Sequence, residues 1–157
     1  MKRILAFTAF LLLLSFTAAQ KLSQTYETEN FKIQYPDFWK ATNDEGIINL
    51  FPENQIGAVT ISGYDTIDFP LEETPKFILD MYGSEDSASK VQSKTSGGVS
   101  TYYYEYTDDQ KKELWMTKVI RKGKLFYILT INIPVKYWSG NYKNDFQETF
   151  NSFKLKK

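Results

Sequence analysis

The chain has 157 residues, with 19 basic and 19 acidic side chains, no histidine and no cysteine. It therefore has no thiol nucleophile, no imidazole base, no disulfide and none of the His or Cys ligands on which zinc, haem and iron–sulfur centres draw. The charge balance excludes the basic excess with which a nucleic-acid binder neutralises phosphates.

Met1-Lys2-Arg3 is a basic start, Ile4 to Phe16 is an apolar run, and Thr17-Ala18-Ala19 supplies small residues before Gln20. This is the layout of a secretory signal peptide spanning residues 1–19, cut between Ala19 and Gln20. Cleavage leaves 138 residues, 17 basic against 19 acidic, which fit a single domain over 20–157. A domain of that size buries roughly two-thirds of its extended surface and folds without staples. No lipobox cysteine is present, so a lipoprotein is not expected. No second apolar run approaches the ~20 residues that span a bilayer. The expectation is a soluble periplasmic or secreted protein with no integral membrane segment after cleavage, no cofactor and no nucleic-acid partner.

Residues 29–35 alternate, with Phe31, Ile33 and Tyr35 on one face and Lys32 and Gln34 on the other, which predicts a strand covered on one side. Pro36-Asp37 ends it. Further strands are predicted at Gly46–Phe51 and about Gly57–Tyr64. Thr74 can cap a helix with Pro75 at its first position, Phe77, Ile78 and Met81 on its apolar stripe, and Gly83 as its stop. Residues 84–98 are polar, with room for a brief strand near Val91. Three longer strands follow at Val99–Thr107, Glu113–Arg121 and Leu125–Ile133. The short connections between them join antiparallel neighbours in a meander.

The last of these strands carries Leu125, Tyr127, Leu129, Ile131 and Ile133 on one face, yet Phe126 and Ile128 make the other face apolar too. A strand of that kind belongs in the middle of a sheet, with cover above and below. From Tyr137 to Phe153, the four-residue spacing of Tyr142, Phe146 and Phe150 predicts a second amphipathic helix, polar outside through Lys143, Asp145 and Glu148. The sum is an α+β domain, an antiparallel sheet of about six strands with helices packed on its faces.

The opening Phe31-x-Ile-x-Tyr-Pro-x-x-Trp39, the strand Gly46–Phe51, the C-terminal meander and a closing helix ending in Ser152-Phe153 resemble the PsbP/Mog1/DcrB-like superfamily. The resemblance covers nearly the whole of residues 20–157. It implies a PsbP/Mog1-like sandwich, and a binding or assembly role of the kind held by photosystem subunits, a Ran-binding import factor and exported bacterial proteins. The signal peptide suits the exported branch. No motif of the superfamily carries catalytic residues onto this chain.

Other chemistries find little support. Ser87-Ala88-Ser89-Lys90 and Ser93-Lys94 lie in the polar stretch, where a lysine stays solvated and protonated and cannot serve as a base. Asn43-Asp44-Glu45-Gly46 and Asp65-x-x-Asp68 offer oxygen ligands without the spacing of a calcium loop, and read as solvated turns. A pair of carboxylates for glycoside hydrolysis cannot be picked out from 19 acidic residues. The tail Lys154/Lys156/Lys157 reads as a solvated end.

Tyr102-Tyr103-Tyr104-Glu105-Tyr106 is the sharper feature. Alternation puts Tyr102, Tyr104 and Tyr106 on one face, which either packs beneath a helix or forms an aromatic platform for sugars or a partner. Trp115 shares the two readings, and Trp39 reads as structural. These features make an exported, non-enzymatic binding or assembly protein that presents a surface to a protein partner at the cell envelope. The alternative is a small-ligand or glycan binder using an aromatic sheet face, and the third reading is a carboxylate-based hydrolase. Neither EDTA nor dithiothreitol is expected to shift the thermal midpoint; a clear drop with EDTA would restore the calcium reading of the acidic turns.

Overall fold

Apolar side chains on both faces of one strand set the architecture seen in the computed structural model, which describes residues 22–64, 66–81 and 91–156. The elements run β1 (Gln24–Glu27), β2 (Phe31–Tyr35), β3 (Trp39–Asp44), β4 (Ile47–Pro52), β5 (Ala58–Tyr64), α1 (Thr74–Met81), β6 (Gln92–Ser96), β7 (Val99–Asp108), β8 (Glu113–Lys122), β9 (Leu125–Pro134), α2 (Gly140–Ser152) and β10 (Lys154–Leu155). The signal peptide, Asp65, the stop at Gly83 and the serine–lysine stretch 87–90 lie outside the described residues.

Seven strands form an antiparallel sheet in the order β3-β4-β5-β9-β8-β7-β6, so the doubly apolar β9 stands fourth of seven, as its pattern requires. The meander is β7-β8-β9. The expectation of about six strands in one sheet needs adjusting in two ways. The 29–35 strand leaves the large sheet and pairs with β1 and the two-residue β10 in a separate three-stranded sheet. The chain after Trp39 forms an additional edge strand, β3, paired to β4 through a tight turn at Glu45 and Gly46, both with positive φ.

The middle of one face of the large sheet is densely covered, and only towards its outer strands are Ala41, Asn43 and Glu105 left exposed on that side. Ile48, Leu50, Val59, Ile61, Leu129, Ile131 and Ile133 from the sheet meet Phe146, Phe150 and Phe153 from the closing helix and its end, with Phe31 and Ile33 from the small sheet. Trp39 is buried here against Phe146, ring centroids 4.6 Å apart. Phe153 stacks on Phe31 at 5.0 Å. Burying one side chain of this size stabilises by about 1.5–3 kcal/mol, so α2 is held by packing rather than by its own propensity. Ser139 precedes it without a side-chain cap. At its other end Lys118 reaches across from β8, donating to the Phe150 carbonyl at 2.7 Å and lying 4.1 Å from the Phe150 ring centroid. Burial pushes that ammonium down to about 8.

The opposite face carries a second, smaller core. Ile78 and Leu79 of α1 pack on Tyr102, Tyr104, Val119, Phe126 and Ile128. Phe126 meets Phe69 and Phe77 edge-on, at 5.8 and 5.6 Å. Arg121 pins the approach to α1 by donating to the Phe69 carbonyl at 2.8 Å. No helix among the described residues is long and apolar enough to cross a membrane.

Asp145 is an exception on the buried side of α2, only 6% exposed. Burial first, and the neighbouring Glu148 charge second, push its carboxyl up to about 6 from 3.8. Because the folded pKa is raised, the stability this group contributes is complete below about pH 3.8 and is lost as pH rises through 6. Asp145→Asn should therefore be more stable than the parent at pH 7, and the two should converge below about pH 4 in denaturant titrations. A parent that gains stability relative to the variant between pH 4 and 7 would contradict this placement.

Candidate functional site

Among the described residues the α1 side of the large sheet is only partly covered. Seven strands span about 29 Å, whereas the eight residues of α1 extend about 12 Å. The helix lies over the parts of β7, β8 and β9 that carry Tyr102, Val119 and Phe126. Beyond it the register aligns polar residues across the strands. One row runs Thr42, Asn49, Thr60 and Thr130 before passing under cover at Thr117 and Tyr104, 1% and 3% exposed, and part of the next runs Ala58, Asn132, Trp115, Tyr106.

In the β3–β5 half of this face lies a trough of about 380 Å³, lined by Thr42, Asn49, Phe51, Gln55, Gly57, Ala58 and Asn132. The depression is left open because Ala58 and Gly57 supply no bulk to fill it. The Thr60 hydroxyl donates to Asn49 Oδ1 at 2.8 Å, and Asn132 Nδ2 donates to Glu113 Oε2 at 3.2 Å, so both amides are oriented from beside the trough. The β4–β5 connection supplies the end wall. Gln55 adopts φ 57° and Gly57 φ 78°, and a left-handed glutamine is an unusual choice at a side chain that lines a depression. Gly57 is required sterically as well. A Cβ there would sit 2.8 Å from the Asn132 carbonyl and 2.9 Å from the Phe146 ring.

The four residues singled out from the sequence all lie on this side, but not as one platform. Tyr102 and Tyr104 are 7% and 3% exposed beneath α1, and the Tyr102 hydroxyl donates to the Leu71 carbonyl at 3.2 Å. Tyr106 and Trp115 are half-buried at the margin of the helix. The rings form a ladder, Tyr104 to Tyr106 at 6.1 Å and Tyr106 to Trp115 at 6.4 Å, nearly parallel in both steps. Burial, with Asp108 and Glu113 nearby, raises the Tyr106 hydroxyl above its ordinary value. Sequence reading missed the trough itself, whose residues come from β3, β4, the following turn, β5 and β9. The one signal available was polar residues, Asn49, Thr60, Thr130 and Asn132, where their strands otherwise carry aliphatics.

The trough lining holds hydroxyls, carboxamides and one ring, groups that bind by hydrogen bonding and contact. Among the described residues no cluster of acidic side chains is arranged to hold a metal ion.

No family model matches the chain, and no curated protein matches it. Solved structures do. Cyanobacterial PsbP from Synechocystis sp. PCC 6803 aligns with a TM-score of 0.65 at 12% identity, over 92% of this chain and 99% of that one. A structure from Bacteroides thetaiotaomicron VPI-5482 aligns with a TM-score of 0.54 at 14% identity, over 81% of this chain. The alignment spans 45% of that chain. LpqN of Mycobacterium tuberculosis, described as involved in cell envelope biogenesis, aligns with a TM-score of 0.45 at 12% identity, over 81% of this chain and 83% of that one.

Gly57→Ala should destabilise the fold by about 1–3 kcal/mol more than Gly97→Ala. Both glycines have positive φ, but a Cβ at Gly97 meets nothing within 4 Å. Equal losses in parallel denaturation curves would show that the close approach at Asn132 is absent. At these identities the likeness extends to the fold alone: the chain shares the sandwich architecture of cyanobacterial PsbP, in keeping with the PsbP/Mog1/DcrB-like fold.

Proposed function

We infer that this chain is an exported, non-enzymatic binding or assembly protein of the bacterial cell envelope, which engages a protein partner through the α1 side of its large sheet. Residues 1–19 act as the export signal, and 20–157 form the single working domain, periplasmic or secreted.

The observation that carries this reading is the placement of exposed apolar side chains. Ile47, Tyr64, Leu71 and Met81 are each between 40% and 50% exposed. The register sets Ile47 and Tyr64 on the α1 side of the sheet, Met81 ends α1, and Leu71 stands in the short turn leading into it. Apolar exposure gathered on one side, around polar ground, is the composition of a protein-contact surface. The outward residues of α2 itself, Asn141, Lys143, Asn144, Glu148 and Asn151, are polar, and the one further exposed large apolar side chain among the described residues, Val135 at 43%, stands in the turn after β9. The absence of His and Cys, together with a trough built from amides and hydroxyls, supports binding over turnover.

A second reading, a small-ligand or glycan binder, is favoured by the trough and by the Tyr106–Trp115 stack beside α1.

A photo-reactive phenylalanine analogue at Ile47 should capture a discrete protein in intact cell envelopes, and the same group at Glu148 on α2 should not. Capture at Glu148 alone, or at neither site, would overturn the assignment of the surface.

A further inference from the structure

We propose that the trough between β3, β4, β5 and β9 is a binding site for a neutral, polyhydroxylated chain, an uncharged oligosaccharide. This goes beyond a protein partner on the apolar rim, because it gives the trough a ligand of its own.

Chemistry selects the ligand class by elimination. The lining of Thr42, Asn49, Phe51, Gln55, Ala58 and Asn132 contains no charged side chain, so neither a phosphorylated nor a strongly cationic ligand finds a counter-charge there. An extended peptide binds a sheet by adding to a free edge. The trough opens on the sheet's face, where the β4, β5 and β9 backbones are already paired on both sides; the free edge of β3 points outward in the plane of the sheet, away from that opening. A lipid chain would need apolar walls, and Phe51 is the one large apolar group in the lining.

What remains fits a sugar chain. Hydroxyl and carboxamide groups both donate and accept, as sugar hydroxyls do. Thr42 and Asn49 line the trough from adjacent strands in one cross-strand row, so their polar groups stand about 4.8 Å apart. That interval is comparable with the length of one sugar ring in a linear chain. Phe51, half-buried in the wall, offers a face on which the apolar side of a sugar ring can rest. Asn132 is oriented by Glu113, and Asn49 by Thr60, so two of the amides are set before any ligand arrives. Among the described residues nothing lies across the trough.

The test is calorimetric titration of the purified full chain with four neutral hexasaccharides: cellohexaose, maltohexaose, mannohexaose and chitohexaose. Inorganic polyphosphate is titrated alongside. At least one saccharide should bind and polyphosphate should not. Thr42→Arg and Phe51→Ala should each weaken binding by at least about tenfold, while Glu148→Arg on α2 leaves it unchanged. If Phe51→Ala fails to fold, Thr42→Arg decides alone, since Thr42 is exposed on an edge strand. Failure of all four saccharides, equal binding by Thr42→Arg, or competition by polyphosphate would each overturn the proposal. Capture of a protein at Ile47 without saccharide binding would leave the partner surface standing and remove this inference; saccharide binding without capture would do the reverse.

Discussion

Strand β9 has to be dry on both sides. With Phe126 and Ile128 on one face and Leu129, Ile131 and Ile133 on the other, all at most 8% exposed, it can exist only where a layer covers each face of the sheet. No disulfide or metal ligand of the His/Cys kind is available to support a looser arrangement. The two helices are therefore consequences of the strand they cover. α2 supplies Phe146 and Phe150 to one face, and the small sheet extends that cover with Phe31 and Ile33. On the other face α1 covers Phe126 and Ile128, where the need is greatest, and goes no further.

The division of labour between the two faces follows from helix length. A helix of 13 residues together with a three-stranded sheet covers one face across its central strands. Among the described residues, a helix of eight does not close the other. Strands that run beyond α1 must present side chains compatible with water, and they do: Asn49, Thr60, Thr130 and Asn132 occupy face positions that Val, Ile and Leu take on the covered side. Polar groups on a sheet face are costly only when buried without partners. Here they are partly accessible, and Asn49, Thr60 and Asn132 are hydrogen-bonded sideways, which makes the same residues both tolerable to the fold and useful for recognition. The tyrosine ladder connects the two regimes, with Tyr104 in the core, Tyr106 at the margin and Trp115 beside it.

How much of this could be read from the chain depended on how local the signal was. The double apolar pattern of Leu125–Ile133 placed the central strand, and the four-residue spacing of Tyr142, Phe146 and Phe150 placed α2, because each pattern reports burial within one element. β1 and β3 were not legible. Trp39 is the one buried residue of β3 and the rest of it is exposed, so no alternation marks it. The split into two sheets was equally hidden, since β2 pairs with β10 at the far end of the chain. The tyrosine-rich strand was identified, but which of its rings lay under a helix depended on where α1 docks. The trough was the least visible feature, because Thr42, Asn49, Gln55 and Asn132 become neighbours only through register.

The central claim is the asymmetry of cover on the α1 side. It is tested most directly by side-chain NMR of the protein with a soluble paramagnetic agent. The account predicts broadening of the Asn49, Thr60 and Asn132 side-chain signals while those of Ile128, Tyr104 and Phe126 are spared. Equal protection of both groups would mean that this face is closed, and the binding surface assigned to it would have to be abandoned.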